Sequence, residues 1–106
     1  MTDKLIVLST CPSEDEARRI ARGLVEDRLA ACVNILPGAK SVYHWQGRVE
    51  ESDELLLMIK TRRDLLDKLG KRLSQMHTYE VPEGIAIPIL DGLPAYLDWL
   101  DRELKS

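Results

Sequence analysis

A chain of 106 residues has the length of one domain, spanning residues 1–106, and leaves no room for a second folded unit. Its 15 Lys and Arg against 18 Asp and Glu give a net charge of −3, which weighs against a dedicated nucleic-acid binder. No apolar run reaches the roughly 18 residues of a membrane span, and the apolar stretch of MTDKLIVLSTCPSE is too short for a secretion signal, so the expected location is cytoplasmic, with reduced thiols.

Phe is absent, so Leu, Ile and Val must build the core. Lys4 to Leu8 is a continuous apolar run, as expected of a central strand buried on both faces. Ser13 and Glu16 form a capping box, and the acidic first turn suits a helix N-terminus. Ala17, Ile20, Ala21, Leu24, Val25 and Leu29 then recur at helical spacing, which predicts an amphipathic helix lying on a sheet.

From Ala31 to Thr61 two long apolar-patterned arms meet at Gln46-Gly47, and the natural reading is a hairpin. Arms of about fifteen residues at roughly 3.3 Å each reach about 50 Å. A compact domain of this size is only about 33 Å across. The ribbon therefore bends or projects, and its apolar residues need a neighbouring subunit to cover them. Pro37-Gly38 predicts a bulge in the first arm. Glu50, Glu51, Asp53 and Glu54 read as solvated charges near the tip.

Arg62 to Met76 carries Leu66, Leu69, Leu73 and Met76 at helical spacing. Ile85 to Leu90 reads as a strand whose Pro88 belongs on an edge. Pro94 opens a last helix with Leu97, Leu100 and Leu104 inward. The order strand, helix, strand, strand, helix, strand predicts an α+β, ferredoxin-like βαββαβ sandwich with a long β-hairpin and an extra C-terminal helix.

This topology puts Cys11 and Cys32 at opposite ends of a helix roughly 20 Å long, so no intrachain disulfide is expected. Cys11, just before a helix N-terminus, is expected to have a lowered pKa, with an ordinary loop cysteine as the plainer reading. His77 lies in a polar loop with Tyr79, Glu80 and Glu83. Imidazole, carboxylate and a thiolate from Cys11 would suit a first-row divalent ion, although no ligand spacing here fixes a site and a structural hydrogen bond would also account for His77. Tyr43, Trp45 and Tyr79 read as a stacking cluster or as intersubunit core. No nucleophile–base pair or Gly-rich phosphate loop is present, and the chain does not read as an enzyme.

The segments LVEDRLAACVNILPG, SVYHWQG, ELLLMIKT and HTYEVPE, in this order over nearly the whole chain, resemble the CutA divalent-cation-tolerance family. The resemblance implies a cytoplasmic homotrimer of ferredoxin-like subunits, similar in architecture to PII signalling proteins and associated with tolerance of copper and other divalent cations. Together with the soft and imidazole donors at one edge of the sheet, it points to a metal, copper first, near His77 with Glu80 and Cys11. An alternative is a PII-like regulatory module taking a small ligand in intersubunit clefts lined by Cys32, Trp45, Glu54, Lys60 and Tyr79. The copper ligands described for some bacterial members fall here on Ser9, Met76 and His77, only the last of which is unchanged. Thr78 stands where the family has a proline, which is expected to loosen the loop. Gly84 stands where Ile or Val is usual.

Overall fold

The computed structural model describes residues 2–106. Strand β1 (Lys4–Cys11) and helix α1 (Glu14–Glu26) are followed by the hairpin strands β2 (Cys32–Trp45) and β3 (Arg48–Arg62). A 3-10 turn (Arg63–Leu65) leads into α2 (Leu66–Met76), then β4 (Ile85–Pro88) and α3 (Pro94–Glu103). The strands make one antiparallel sheet in the order β2-β3-β1-β4. This is the expected ferredoxin-like arrangement. Three boundaries move: Cys11 ends a strand rather than sitting in a loop, Arg62 belongs to β3, and β4 stops at Pro88 on the sheet edge, where a missing N–H leaves no ladder bond broken.

Cross-strand register decides which residues share a face. Val7 lies opposite Ile59, Ser9 opposite Leu57 and Cys11 opposite Leu55, while Val33 and Ile35 face Ile59 and Leu57 from β2. This face packs on α1 and α2 through Ile20, Leu24, Leu69 and Leu73, all buried. Burying each such leucine or isoleucine contributes about 1.5–3 kcal/mol. Val25, placed in the stripe of α1 by its spacing, is exposed instead.

The opposite face carries Ile6, Leu8 and Thr10 on β1, Leu56, Met58 and Lys60 on β3, and Ile85 and Ile87 on β4. Leu100 of helix α3 and Leu104 just after it enter the core, and much of this second face stays open. Among the described residues no helix is long and apolar enough to cross a membrane.

The hairpin closes with a two-residue turn in which Gln46 (φ 52°) and Gly47 (φ 79°) are both left-handed, the pattern of a type I′ turn. Pro37-Gly38 forms the expected bulge: the register slips between Leu36 and Ala39, and Gly38 has φ 85°. That slip changes which residues face which side. Tyr43 and Trp45 join the open face that carries Asn34 and Leu36, where an unbroken strand would turn them the other way. The ribbon stretches the molecule to 44 × 25 × 23 Å, so it projects.

Candidate functional site

The end of β1, the first turn of α1 and the chain after α2 meet at one buried cluster. Cys11, Glu16 and His77 each present a donor atom, and these atoms lie within 4.8 Å of one another. The Cys11 Sγ is 3.9 Å from His77 Nε2, and the Glu16 Oε2 is 3.3 Å from His77 Nδ1. The partners of the ring assign its tautomer. The Thr10 carbonyl, 2.7 Å away, can only accept, so Nε2 carries the proton. The Tyr79 N–H can only donate, and Nδ1 accepts it at 3.1 Å. These partners hold the His77 ring in a fixed orientation.

Cys11 does not have the lowered pKa that its place before α1 suggested. Burial pushes its thiol up to about 12, the charges of Glu16 and Glu54 push the same way, and only Arg19 opposes them. The sulfur lies in the core, fully buried. Desolvation there outweighs the helix dipole.

The carboxylate of the cluster comes from Glu16, not from Glu80. Glu80 is exposed and lines a separate cleft. Only half of the capping box is present: Ser13 Oγ accepts the Glu16 N–H at 3.2 Å, while the Glu16 side chain turns inward. It accepts from Thr78 N–H at 3.2 Å and from Thr78 Oγ1–H at 2.6 Å. Its helical spacing carried the missed signal, because Glu16 lies four and eight residues before the buried Ile20 and Leu24. Thr78 therefore ties the loop down, contrary to the loosening expected from the absent proline.

Within one subunit, the residues expected to line intersubunit clefts fall into two groups. Cys32 and Lys60 sit opposite each other at the far end of the hairpin, with Lys60 Nζ 4.0 Å from Cys32 Sγ and donating to Asn34 Oδ1. Trp45, Glu54 and Tyr79 line a cleft of about 620 Å³ between the ribbon and the loop after α2. Tyr79 donates to Glu54 Oε2 at 2.6 Å. Glu54, expected to be solvated, is only 7% exposed. Burial raises the Tyr79 hydroxyl, reinforced by its hydrogen bond to Glu54, and burial raises the Glu83 carboxyl, reinforced by the Glu54 charge.

Thiolate, imidazole and carboxylate together form a donor set for a borderline or soft first-row ion. Such ions sit about 2.0–2.3 Å from each ligand, and because Cys11 lies on the Nε2 side of the ring and Glu16 on the Nδ1 side, one ion held by all three would require the ring or the carboxylate to turn. An ion taking Nε2 and Sγ would replace the Nε2 proton and the thiol proton, and Tyr79 N–H on Nδ1 would still orient the ring. Ser9, two residues before Cys11 on the same face of β1, carries a buried hydroxyl without a hydrogen-bond partner among the described residues. Met76, immediately before His77, is also buried.

A family model described as the CutA1 divalent ion tolerance protein matches residues 5–103. The divalent-cation tolerance protein CutA of Thermus thermophilus is 56% identical over 95 residues, covering 90% of this chain and 92% of that protein. The chloroplastic protein CutA of Arabidopsis thaliana is 43% identical over 102 residues, and the match spans 96% of this chain but only 56% of that longer protein. The crystal structure of CutA from Xylella fastidiosa superimposes with a TM-score of 0.95 at 44% identity, covering 98% of this chain and 100% of that one.

Proposed function

This chain belongs to the CutA1 divalent ion tolerance family, and from that premise we propose that it binds a divalent cation, copper first, at Cys11, Glu16 and His77. The observation that carries this reading is the convergence of a thiol, an imidazole and a carboxylate, all buried, from three separate segments. A bound ion supplies charge that fastens those segments together. The chain's own residues provide the soft donor, the oriented ring and the carboxylate that offsets the charge. Titration calorimetry with copper on wild type, Cys11→Ser and His77→Ala checks it. Each variant is expected to bind at least about tenfold more weakly, as loss of a ligand or its support does in metal sites. Equal affinity in all three would remove these residues from the site.

The functional form in this reading is a homotrimer in the cytoplasm, where the two free cysteines stay reduced. Its support is the open sheet face: Leu36 (40% exposed), Ile85 (55%) and Ile87 (47%) form apolar surface that a monomer leaves in water. Sedimentation equilibrium is expected to give three times the chain mass, and a stable monomer would overturn it. A second reading, a PII-like module for a small ligand, is favoured by the cleft at Glu54.

A further inference from the structure

The three donors of the buried cluster are not equally free to move. The His77 side chain is 0% exposed and lies against the Tyr79 ring at a centroid distance of 4.7 Å. Both of its nitrogens are engaged, Nε2 by the Thr10 carbonyl and Nδ1 by the Tyr79 N–H. Cys11 is fixed by β1, where it pairs with Leu55 of β3. Glu16 is the mobile member. Ser13 Oγ accepts its N–H and holds its backbone, but the side chain beyond is long and unbranched. Turning the carboxylate moves one flexible side chain, whereas turning the ring moves a packed and stacked one.

The carboxylate starts on the wrong side of the ring. Cys11 Sγ lies 3.9 Å from Nε2, and Glu16 Oε2 lies 3.3 Å from Nδ1. Thr78 keeps it there. The Thr78 hydroxyl donates to Oε1 at 2.6 Å and the Thr78 N–H to Oε2 at 3.2 Å, so one residue engages both oxygens. These contacts lie within one subunit, on the helix-covered side of the sheet with the core, and none depends on what covers the open face.

On the reading that one ion is held by Cys11, Glu16 and His77, we propose that Thr78 is a positioning residue that competes with the ion for Glu16 and so sets the affinity of the site. In the metal-free protein the two Thr78 bonds hold the carboxylate on the Nδ1 side. Coordination draws it toward Nε2 and the Cys11 sulfur, and Thr78 gives up both bonds. The affinity observed is then the intrinsic one reduced by the fraction of molecules in which Glu16 is free. The coupling is reciprocal: Thr78 weakens the hold on the ion, and the ion releases the start of the loop after α2. A threonine that served the fold alone would behave differently, because its loss would weaken folding and metal binding together.

Titration calorimetry of the full-length protein with zinc, a redox-silent ion that takes thiolate, imidazole and carboxylate, tests this. Wild type binds. Thr78→Val removes the hydroxyl donor at nearly constant shape and binds zinc roughly tenfold more tightly, the weight of one hydrogen bond to a charged group, while its metal-free form melts below wild type. Thr78→Ser keeps the donor and the wild-type affinity. Gln75→Ala, at an exposed position of α2, changes neither affinity nor melting. Wild type alone supplies a second readout that needs no variant to fold: by NMR, the Thr78 amide exchanges with solvent faster in the zinc-saturated protein than in the metal-free one. Unchanged or weaker zinc binding by Thr78→Val, or a Thr78 amide that zinc protects, would overturn the competition while leaving the metal site in place. Zinc binding that survives His77→Ala, or no binding of zinc or copper to wild type, would overturn the metal site and the competition with it.

Discussion

Thr78→Pro destabilises the protein by about 2–4 kcal/mol, although proline is the residue that the family resemblance calls for at this position. Two effects of opposite sign compete. Proline restricts the unfolded chain and contributes about 0.4–1 kcal/mol where the native backbone accepts it. His77, the preceding residue, has φ −78° and ψ 141°, the extended conformation that a following proline favours, so no clash arises there. Against this, proline has neither the N–H nor the hydroxyl that Thr78 donates to Glu16. Hydrogen bonds to a charged group are worth about 1.5–3 kcal/mol each, and Glu16 is only 6% exposed, so water replaces them poorly. The loss outweighs the gain. Thermal melts are expected to show a fall of about 10 °C or more. In a Glu16→Ala background the same substitution changes stability by less than about 1 kcal/mol, because no carboxylate is left without partners. Equal losses in both backgrounds would mean that the Thr78–Glu16 bonds do not hold the loop.

That pair also marks the boundary of what the sequence could reveal. The periodicities of Ala17 to Leu24 and of Leu66 to Met76, the turn at Gln46-Gly47 and the proline in β4 are local signals, and local backbone physics turns them into the observed elements. Glu16 and Thr78 are 62 residues apart, and nothing local announces that one completes the other. Glu16 carried two compatible meanings, as half of a capping box and as a polar residue on an apolar stripe, and only tertiary packing selects the second. Pro37-Gly38 announced a bulge, but its consequence is a change of parity that brings Tyr43 and Trp45 onto the same face as Glu54. Cys11 was misjudged because the dipole of α1 is visible in the sequence, whereas the depth of burial is a property of the assembled sheet and helices.

Burial of Cys11 has a consequence at high pH in the metal-free protein. Its thiol titrates near 12 when folded, against 9.0 in an open chain. The folded pKa is the higher one, so the folded state keeps its proton while the unfolded state releases it. Stability from this group is complete below pH 9 and declines as the pH rises toward 12. Three pH units at about 1.4 kcal/mol each make the full loss roughly 4 kcal/mol. Tyr79, raised by burial and by Glu54, adds a decline of the same sign above its ordinary value near 10. Cys11→Ala isolates the thiol. At neutral pH the variant is less stable than wild type by about 1 kcal/mol, the transfer and cavity cost of a small buried side chain. Between pH 9 and 11.5 the wild type loses stability faster, since the variant has no thiol to ionise on unfolding, and the two curves converge and cross. Urea unfolding midpoints measured every half unit of pH reveal the crossing. Curves that run parallel throughout would show that Cys11 ionises as readily in the folded protein as in the open chain, and the buried neutral thiol at the end of β1 would then be wrong.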